Sequence, residues 1–360
     1  MQTLRLHINA QHQDIPIFIG KNLWKQLARY LRDHFSNHSI FVISDSNVCS
    51  IYSNTICREL KHLGGFRGII DFHAGEQNKT RIAKEKLEDR LLHEKAGRDT
   101  IVIAFGGGVT GDLAGFVAAT YCRGVPLIHV PTSLIAQVDS SIGGKVGINH
   151  PQGKNLIGAF YQPQAIVADT DFLRTLPQEE FINGMAEVIK YAVTLDSGLW
   201  EFIEIDSDKI LSRDPETLLK MIRTCIQLKT SVVERDVNEL GYRTALNFGH
   251  TIGHAIEKLS DFKIKHGVAI SYGMKIAAKL SQELVGFPGS LVSRLEKTLK
   301  LYDLDSTSFG HFTAGQIWEA ALSDKKTRQQ SPRFTLLHNI SQPELFYAVE
   351  REDLEHVLPK

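Results

Sequence analysis

Residues 100–105 form the unbroken apolar run Thr-Ile-Val-Ile-Ala-Phe, and Gly106-Gly107-Gly108-Val109-Thr110-Gly111-Asp112 follows with no spacer. A strand without polar alternation is buried on both faces, which is the condition of a parallel sheet covered by helices on each side. The glycine run matches G-x-G-x-x-G, in which missing β-carbons let backbone N–H groups and a helix N-terminus approach a pyrophosphate. Together they predict an α/β layer whose ligand gathers at the carboxyl ends of the strands. The pattern is weak by itself, and it departs from the usual one. No acid ends the next expected strand, 126–130, where Pro131-Thr132-Ser133 stands instead. Asp45 is a candidate for the ribose acid from a different strand, and equally a candidate for a plain helix N-cap. A dinucleotide site outside the standard Rossmann arrangement is expected.

The flanking chain fits such a layer. Residues 3–8 alternate polar with apolar, and 15–19 follow a polar turn, which predicts an opening hairpin with Pro16 placing its second strand at a sheet edge. Helical spacing over 23–35, a β-rich run at 39–43, capping residues before a helix near 48–63, a strand at 67–72 and a helix at 81–95 continue the alternation. The helix behind the glycines is expected at 113–121. Residues 137–145 and 153–155 combine glycine with Lys145 and Lys154, and read as two exposed loops that offer point charges to phosphate.

At 360 residues the chain exceeds the usual size of one hydrophobic core, so two domains are expected. Lys plus Arg and Asp plus Glu number 41 each, so no global field favours nucleic acid or an anionic membrane. An anionic ligand must then be held by a local cluster. The four cysteines are scattered without a C-x-x-C pair, the N-terminus has no signal-like segment, and no uncharged apolar run approaches about 18 residues. A reduced, cytoplasmic compartment is the expectation.

Beyond Pro177 the strand-like runs give way to helical periodicities at 179–195, 216–234, 248–259, 268–284 and 291–302, with one late strand at 333–337. The expected boundary divides an α/β domain at 1–176 from an all-α domain at 177–360. The helical half collects metal-ligand candidates: Glu187, then His250 and His254 in Asn-Phe-Gly-His-Thr-Ile-Gly-His, then His266. Zinc takes imidazole and carboxylate readily, and a catalytic site uses three protein ligands so that a fourth position stays open. His250 and His254 are four apart on one helix face, so spacing leaves open whether His254 or His266 completes the set. Lys190, Lys229, Arg243 and Asn247 add donors of the kind that bind carboxylate and phosphate.

The motifs Gly106 to Asp112, Val130-Pro-Thr-Ser133, Gln137 to Lys145, Gly153 to Gly158, Gly184-Met-Ala-Glu-Val-Ile-Lys190 and Asn247 to Glu257 form a highly specific set. Over nearly its whole length the chain resembles the 3-dehydroquinate synthases. The resemblance implies a homodimer, a Rossmann-like NAD-binding domain with a mainly parallel sheet, a helical metal-binding domain, and zinc at the cleft, with Co²⁺ as an alternative ion. It implies Glu187, His250 and His266 as ligands and gives His254 to the substrate. Implied NAD contacts are Asp45, Asn47, Glu76, Lys79, Gly107, Gly108, Val109 and Asp112, and further along Thr132, Ser133, Lys154, Phe172 and Thr175. Lys145 is implied at both nucleotide and substrate. Lys145, Asn155, Asn247 and one lysine of Lys325 and Lys326, here taken as Lys325, are implied at phosphate, Arg243 with Lys229 at carboxylate, and Arg123 across the dimer interface. Lys190 is implied to contact substrate, and His254 with Asp139 to handle protons.

The implied reaction converts 3-deoxy-D-arabino-heptulosonate 7-phosphate to 3-dehydroquinate and phosphate, by transient oxidation at C5, β-elimination, re-reduction, ring opening and aldol closure. The alternatives are a related sugar phosphate cyclase and a metal-dependent polyol dehydrogenase. Substrates of the former lack the carboxylate that Arg243 and Lys229 would meet, and the phosphate-directed lysines argue against the latter.

Overall fold

The alternation expected of the first half is present strand by strand. A computed structural model describes residues 14–305, 312–322 and 332–358. In chain order come β1 (Ile17–Gly20), α1 (Trp24–Phe35), β2 (Ser39–Asp45), α2 (Ser46–Leu60), β3 (Phe66–Phe72), α3 (Arg81–His93), β4 (Thr100–Gly106), α4 (Gly108–Thr120) and β5 (Leu127–Pro131). A π-helical turn (Ala136–Ser140), β6 (Lys145–His150), β7 (Gly153–Phe160) and β8 (Ala165–Asp169) complete this half. Six strands form one parallel sheet in the order β1-β8-β5-β4-β2-β3.

Every residue of β4 is buried, and its side chains divide by the two-residue period of a strand. Ile101, Ile103 and Phe105 pack with Leu27, Leu31, Ile56 and Leu60 of α1 and α2. Val102 and Ala104 pack with Leu87, Leu91, Leu113 and Val117 of α3 and α4. Each isoleucine so buried stabilises the layer by about 1.5–3 kcal/mol. The chain runs outward from β2 to β3 and then crosses to β4 on the other flank of β2. The carboxyl ends of β2 and β4 therefore flank a topological switch point, the usual crevice for a ligand in an open α/β sheet.

The second half comprises α5 (Gln178–Thr194), α6 (Ser197–Ile205), α7 (Ser207–Leu211), α8 (Pro215–Arg235), α9 (His250–Leu259), α10 (His266–Val285), α11 (Gly289–Leu301), α12 (Ala314–Leu322), β9 (Arg333–Asn339), β10 (Gln342–Ala348) and α13 (Arg351–Val357). Helix α5 is buried on all sides from Phe181 to Thr194, which makes it the axis of this half. Its core is continuous with the sheet through Leu134, Val138, Ile166 and Ala168.

β1 lies at the edge of the sheet, where Pro16 is expected to place it, and pairs in parallel with β8, while its expected hairpin partner at 3–8 lies outside the described residues. Three other expectations need correction. Helix α4 begins at Gly108, five residues before position 113, because tertiary packing overrides the poor helix propensity of glycine. The two expected loops are ordered: Lys145 opens β6 and Lys154 lies in β7, which pair as an antiparallel ribbon. The helical half carries a second ribbon, β9 with β10, of which only the first strand is anticipated from the sequence.

Candidate active site

Three elements converge on one carboxylate. Glu187 projects from α5 and is wholly buried. Helix α9 can start at His250 because Gly249 holds φ +79°, and a β-carbon there would lie 2.6 Å from the Met274 backbone N of α10. Helix α10 starts at His266, and a β-carbon on the next residue, Gly267, would lie 2.0 Å from the Asn183 carbonyl oxygen of α5. Backbone thus rests on backbone, and Gly267 N donates to Asn183 Oδ1 at 2.5 Å. This close packing carries both imidazoles to Glu187, whose Oε1 lies 3.5 Å from His250 Nε2 and 3.4 Å from His266 Nε2.

Glu187, His250 and His266 offer ligand atoms within 4.8 Å of one another. Glu187 Oε2 accepts from Lys190 Nζ, while Oε1 is buried and accepts no hydrogen bond among the described residues. A buried carboxylate oxygen left unpaired costs on the order of 1–3 kcal/mol or more. A cation between that oxygen and the two imidazoles would remove the cost, so the donor set fits a divalent ion such as zinc. Burial opposes ionisation of Glu187, but the Lys190 ammonium outweighs it and holds the carboxyl below its ordinary range. Burial also disfavours the His266 imidazolium, yet Glu257 and Glu187 on either side raise its pKa to about 10. His254 does not join the Glu187 trio. Its ring centroid lies 5.3 Å from that of His250 and 6.1 Å from that of His266, and its donor atoms group with Glu257 and His266.

Next to this cluster stands Asp139, in the π-helical turn. Its Oδ1 accepts from Lys229 Nζ of α8 and from Tyr191 Oη, each at 2.5 Å. Burial would raise its pKa, but Lys229 and Lys190 hold it far below the usual carboxylate range. Lys229 is itself pushed down, by burial first and by the charges of Lys190 and Arg243 as well. The expected carboxylate-binding pair is therefore close enough to interact. Arg243 is buried, and its Nη1 donates to the Val237 carbonyl at 2.7 Å. Lys145 and Asn247 meet through Glu239, which accepts from Lys145 Nζ and, at 2.9 Å, from Asn247 Nδ2.

The glycine turn is drawn into the same region. Asp45 caps α2 by accepting from the backbone N–H groups of Asn47 and Val48, and its other oxygen accepts from Thr110 Oγ1 at 2.9 Å. The N-cap reading of Asp45 is thus correct, and the cap sits at the switch point beside α4. Thr132 N donates to the Gly106 carbonyl, and a β-carbon on Gly107 would lie 3.3 Å from Ser133 Oγ. A β-carbon on Gly108 would lie 3.2 Å from Ser140 Oγ, next to Asp139. Lys79 is buried and donates both to Asp112 and, at 2.5 Å, to Asn155 Oδ1. Burial opposes its charge, but Asp112 and Glu76 outweigh that and raise its pKa. Glu76 accepts from Asn149 Nδ2 at 2.7 Å, and Asn149 Oδ1 accepts from Asn155 N at 3.0 Å. Lys154, the neighbour of Asn155, donates to Glu257 of α9 at 2.8 Å.

Some expected residues stand apart. Phe172 is buried against Phe105 and Trp24, and Thr175 Oγ1 lies 2.6 Å from Tyr52 Oη. Arg123 is exposed in the turn after α4. Lys325 and Lys326 lie outside the described residues. The sequence reading assigned no role to Tyr191 or Glu257, although helix spacing held the signal. Tyr191 is four residues after Glu187, and Glu257 seven after His250. Glu239 lies in a loop, with no periodic signal to find it.

A parallel sheet with a glycine turn at its switch point, facing a helical half that holds a carboxylate between imidazoles, defines a class of enzyme built to bring a dinucleotide and a metal ion to one substrate. Residues 69–183 match the 3-dehydroquinate synthase N-terminal family model and residues 184–327 the C-terminal one. The chain belongs to the 3-dehydroquinate synthase family. It is 42% identical to a 3-dehydroquinate synthase of Clostridium tetani over 94% of this chain and 90% of that protein. Among solved structures, a 2-deoxy-scyllo-inosose synthase complexed with carbaglucose-6-phosphate, NAD⁺ and Co²⁺ superposes with a TM-score of 0.86 at 30% identity, covering 95% of each chain. A 2-epi-5-epi-valiolone synthase from Streptomyces hygroscopicus, with NAD⁺ and Zn²⁺ bound, shares the fold with a TM-score of 0.88 at 22% identity, over 99% of this chain and 98% of that one.

Proposed function

We propose that the chain catalyses the reaction for which its family is named, closing 3-deoxy-D-arabino-heptulosonate 7-phosphate to 3-dehydroquinate with loss of phosphate. It is a carbon–oxygen lyase of the shikimate pathway that uses NAD and a divalent ion, zinc or cobalt. What carries this reading is the way strand β7 joins two polar clusters at adjacent residues, Asn155 bonded to Lys79 and through it to Asp112, and Lys154 bonded to Glu257, which faces His266. When bound, NAD withdraws and returns a hydride, and the metal ion polarises the oxygen being oxidised.

This chain's own residues do the rest. Glu187, His250 and His266 would hold the metal ion. Asp45, Asn47, Glu76, Lys79, Gly107, Gly108, Val109, Asp112, Thr132, Ser133, Lys154, Phe172 and Thr175 would bind NAD. Buried Arg243 and Lys229 supply two cations for a carboxylate, which favours the heptulosonate over substrates of related cyclases that lack one. Lys145, Asn155, Asn247 and Lys325 would receive the phosphate, with Arg123 arriving from the second subunit of a homodimer. His254 would accept and return protons, and Asp139, held ionised between Lys229 and Tyr191, would orient the groups that take part.

We take 1–176 and 177–360 as two domains, supported by sheet cores drawn only from residues before 177. A cytoplasmic setting is supported by four free cysteines, and no helix among the described residues is long and apolar enough to cross a membrane. The test is to follow inorganic phosphate from the heptulosonate phosphate with NAD⁺ and zinc, with and without chelator. Phosphate release that stops with chelator, and no net NADH, is expected; steady NADH production without phosphate would refute the reading.

A further inference from the structure

Helix α9 brings more to the cluster than its two histidines. Glu257 stands three residues after His254 and seven after His250, so all three share one helix face. Its side chain is 2% exposed, and its Oε1 lies 3.4 Å from His266 Nδ1 and 2.8 Å from Lys154 Nζ. The other ring nitrogen of His266, Nε2, is the one 3.4 Å from Glu187. A neutral imidazole carries its proton on one nitrogen and offers a lone pair only at the other. Where a metal ion displaces the second proton, a carboxylate at Nδ1 keeps the first in its hydrogen bond and leaves the Nε2 lone pair for the ion on the Glu187 side. Carboxylates behind ligating histidines fix tautomer and ring angle in this way.

Resting on the metal reading above, we propose that Glu257 is a positioning residue that holds His266 as an Nε2 metal ligand. Lys154, reaching from β7, pairs with the same carboxylate oxygen and offsets its buried charge, which would otherwise be costly. The rival role is that of a direct ligand, since His254, Glu257 and His266 also offer donor atoms within 4.8 Å of one another. The Lys154 ammonium opposes that role, because it already pairs with Glu257 Oε1 and its charge repels a cation beside that carboxylate.

The test is Co²⁺ titration of the full chain after metal removal, followed by the visible absorption of the bound ion, in the unmodified protein, Glu257→Gln and Glu187→Ala. The unmodified chain should bind one equivalent. Glu257→Gln should bind one equivalent roughly 10–100-fold more weakly, with a shifted band. Should that variant fail to fold, Glu257→Asp keeps the carboxylate and is expected to fall between the two. Unchanged affinity and band in Glu257→Gln would overturn the proposal. A second equivalent bound by the unmodified chain and lost in Glu257→Gln, with the first intact, would overturn it too and make Glu257 a ligand. If Glu187→Ala binds Co²⁺ like the unmodified chain, the metal reading fails and takes this inference with it.

Discussion

Glu187 shows what a single residue can and cannot reveal in sequence. A carboxylate inside an apolar helix is anomalous, since it is buried only when paired or ligated, and that anomaly is legible. Which histidines answer it is not, because spacing alone cannot decide between His254 and His266 until α10 is seen resting on α5. Glu187→Ala or His250→Ala should lose zinc on dialysis, read by metal analysis; full zinc content in both would refute the ligand assignment. His129 on β5, which packs beneath Gly111 of the glycine turn, offers a test of the folded state. Burial pushes its pKa down to about 4, so the folded state resists a proton that the unfolded chain takes up near 6.5. Its contribution is fully present above about pH 6.5 and is lost as pH falls toward 4, by about 3 kcal/mol. His129→Asn should remove that share of the acid sensitivity in urea unfolding at pH 7, 5.5 and 4.5. Parallel stability curves for the two proteins would contradict it.

At the scale of elements, the long periodic helices and the β4 strand were legible because burial imposes one period over many residues. The β6–β7 ribbon was not. A β-carbon on Gly158 would lie 2.1 Å from the Val146 carbonyl oxygen, so the paired strands approach closely where only glycine fits, and glycine erases the strand signal. The same close approach makes a prediction for α10. Gly267→Ala must push α10 away from the Asn183 carbonyl, which should cost about 1–3 kcal/mol in urea unfolding and weaken Co²⁺ binding by moving His266. Unchanged stability and affinity would show that the helix contact does not position the ligand.

Across the whole molecule, the sheet half and the helical half meet through polar side chains as well as core. Lys154 of β7 bonds Glu257 of α9, and Asp139 of the π-helical turn bonds Tyr191 of α5 and Lys229 of α8. Neither link could be read from sequence, because each joins residues far apart in the chain by geometry alone. Subunit exchange belongs to this scale also. Mixing Arg123→Ala with Lys229→Met, each inactive alone, should restore about a quarter of the activity if hybrid dimers form at random and each contains one intact site. No recovery in a mixture shown to contain hybrids would place Arg123 outside the neighbouring site. Both halves should act on one sugar carbon, oxidising and restoring it in a cycle that releases no reduced cofactor. The most direct test uses the heptulosonate phosphate deuterated at C5, with product analysed by mass spectrometry and NMR. Deuterium retained at the corresponding carbon of 3-dehydroquinate, with no deuterated NADH accumulating, is the expected result. Loss of the label to solvent, or its appearance in free NADH, would contradict the account.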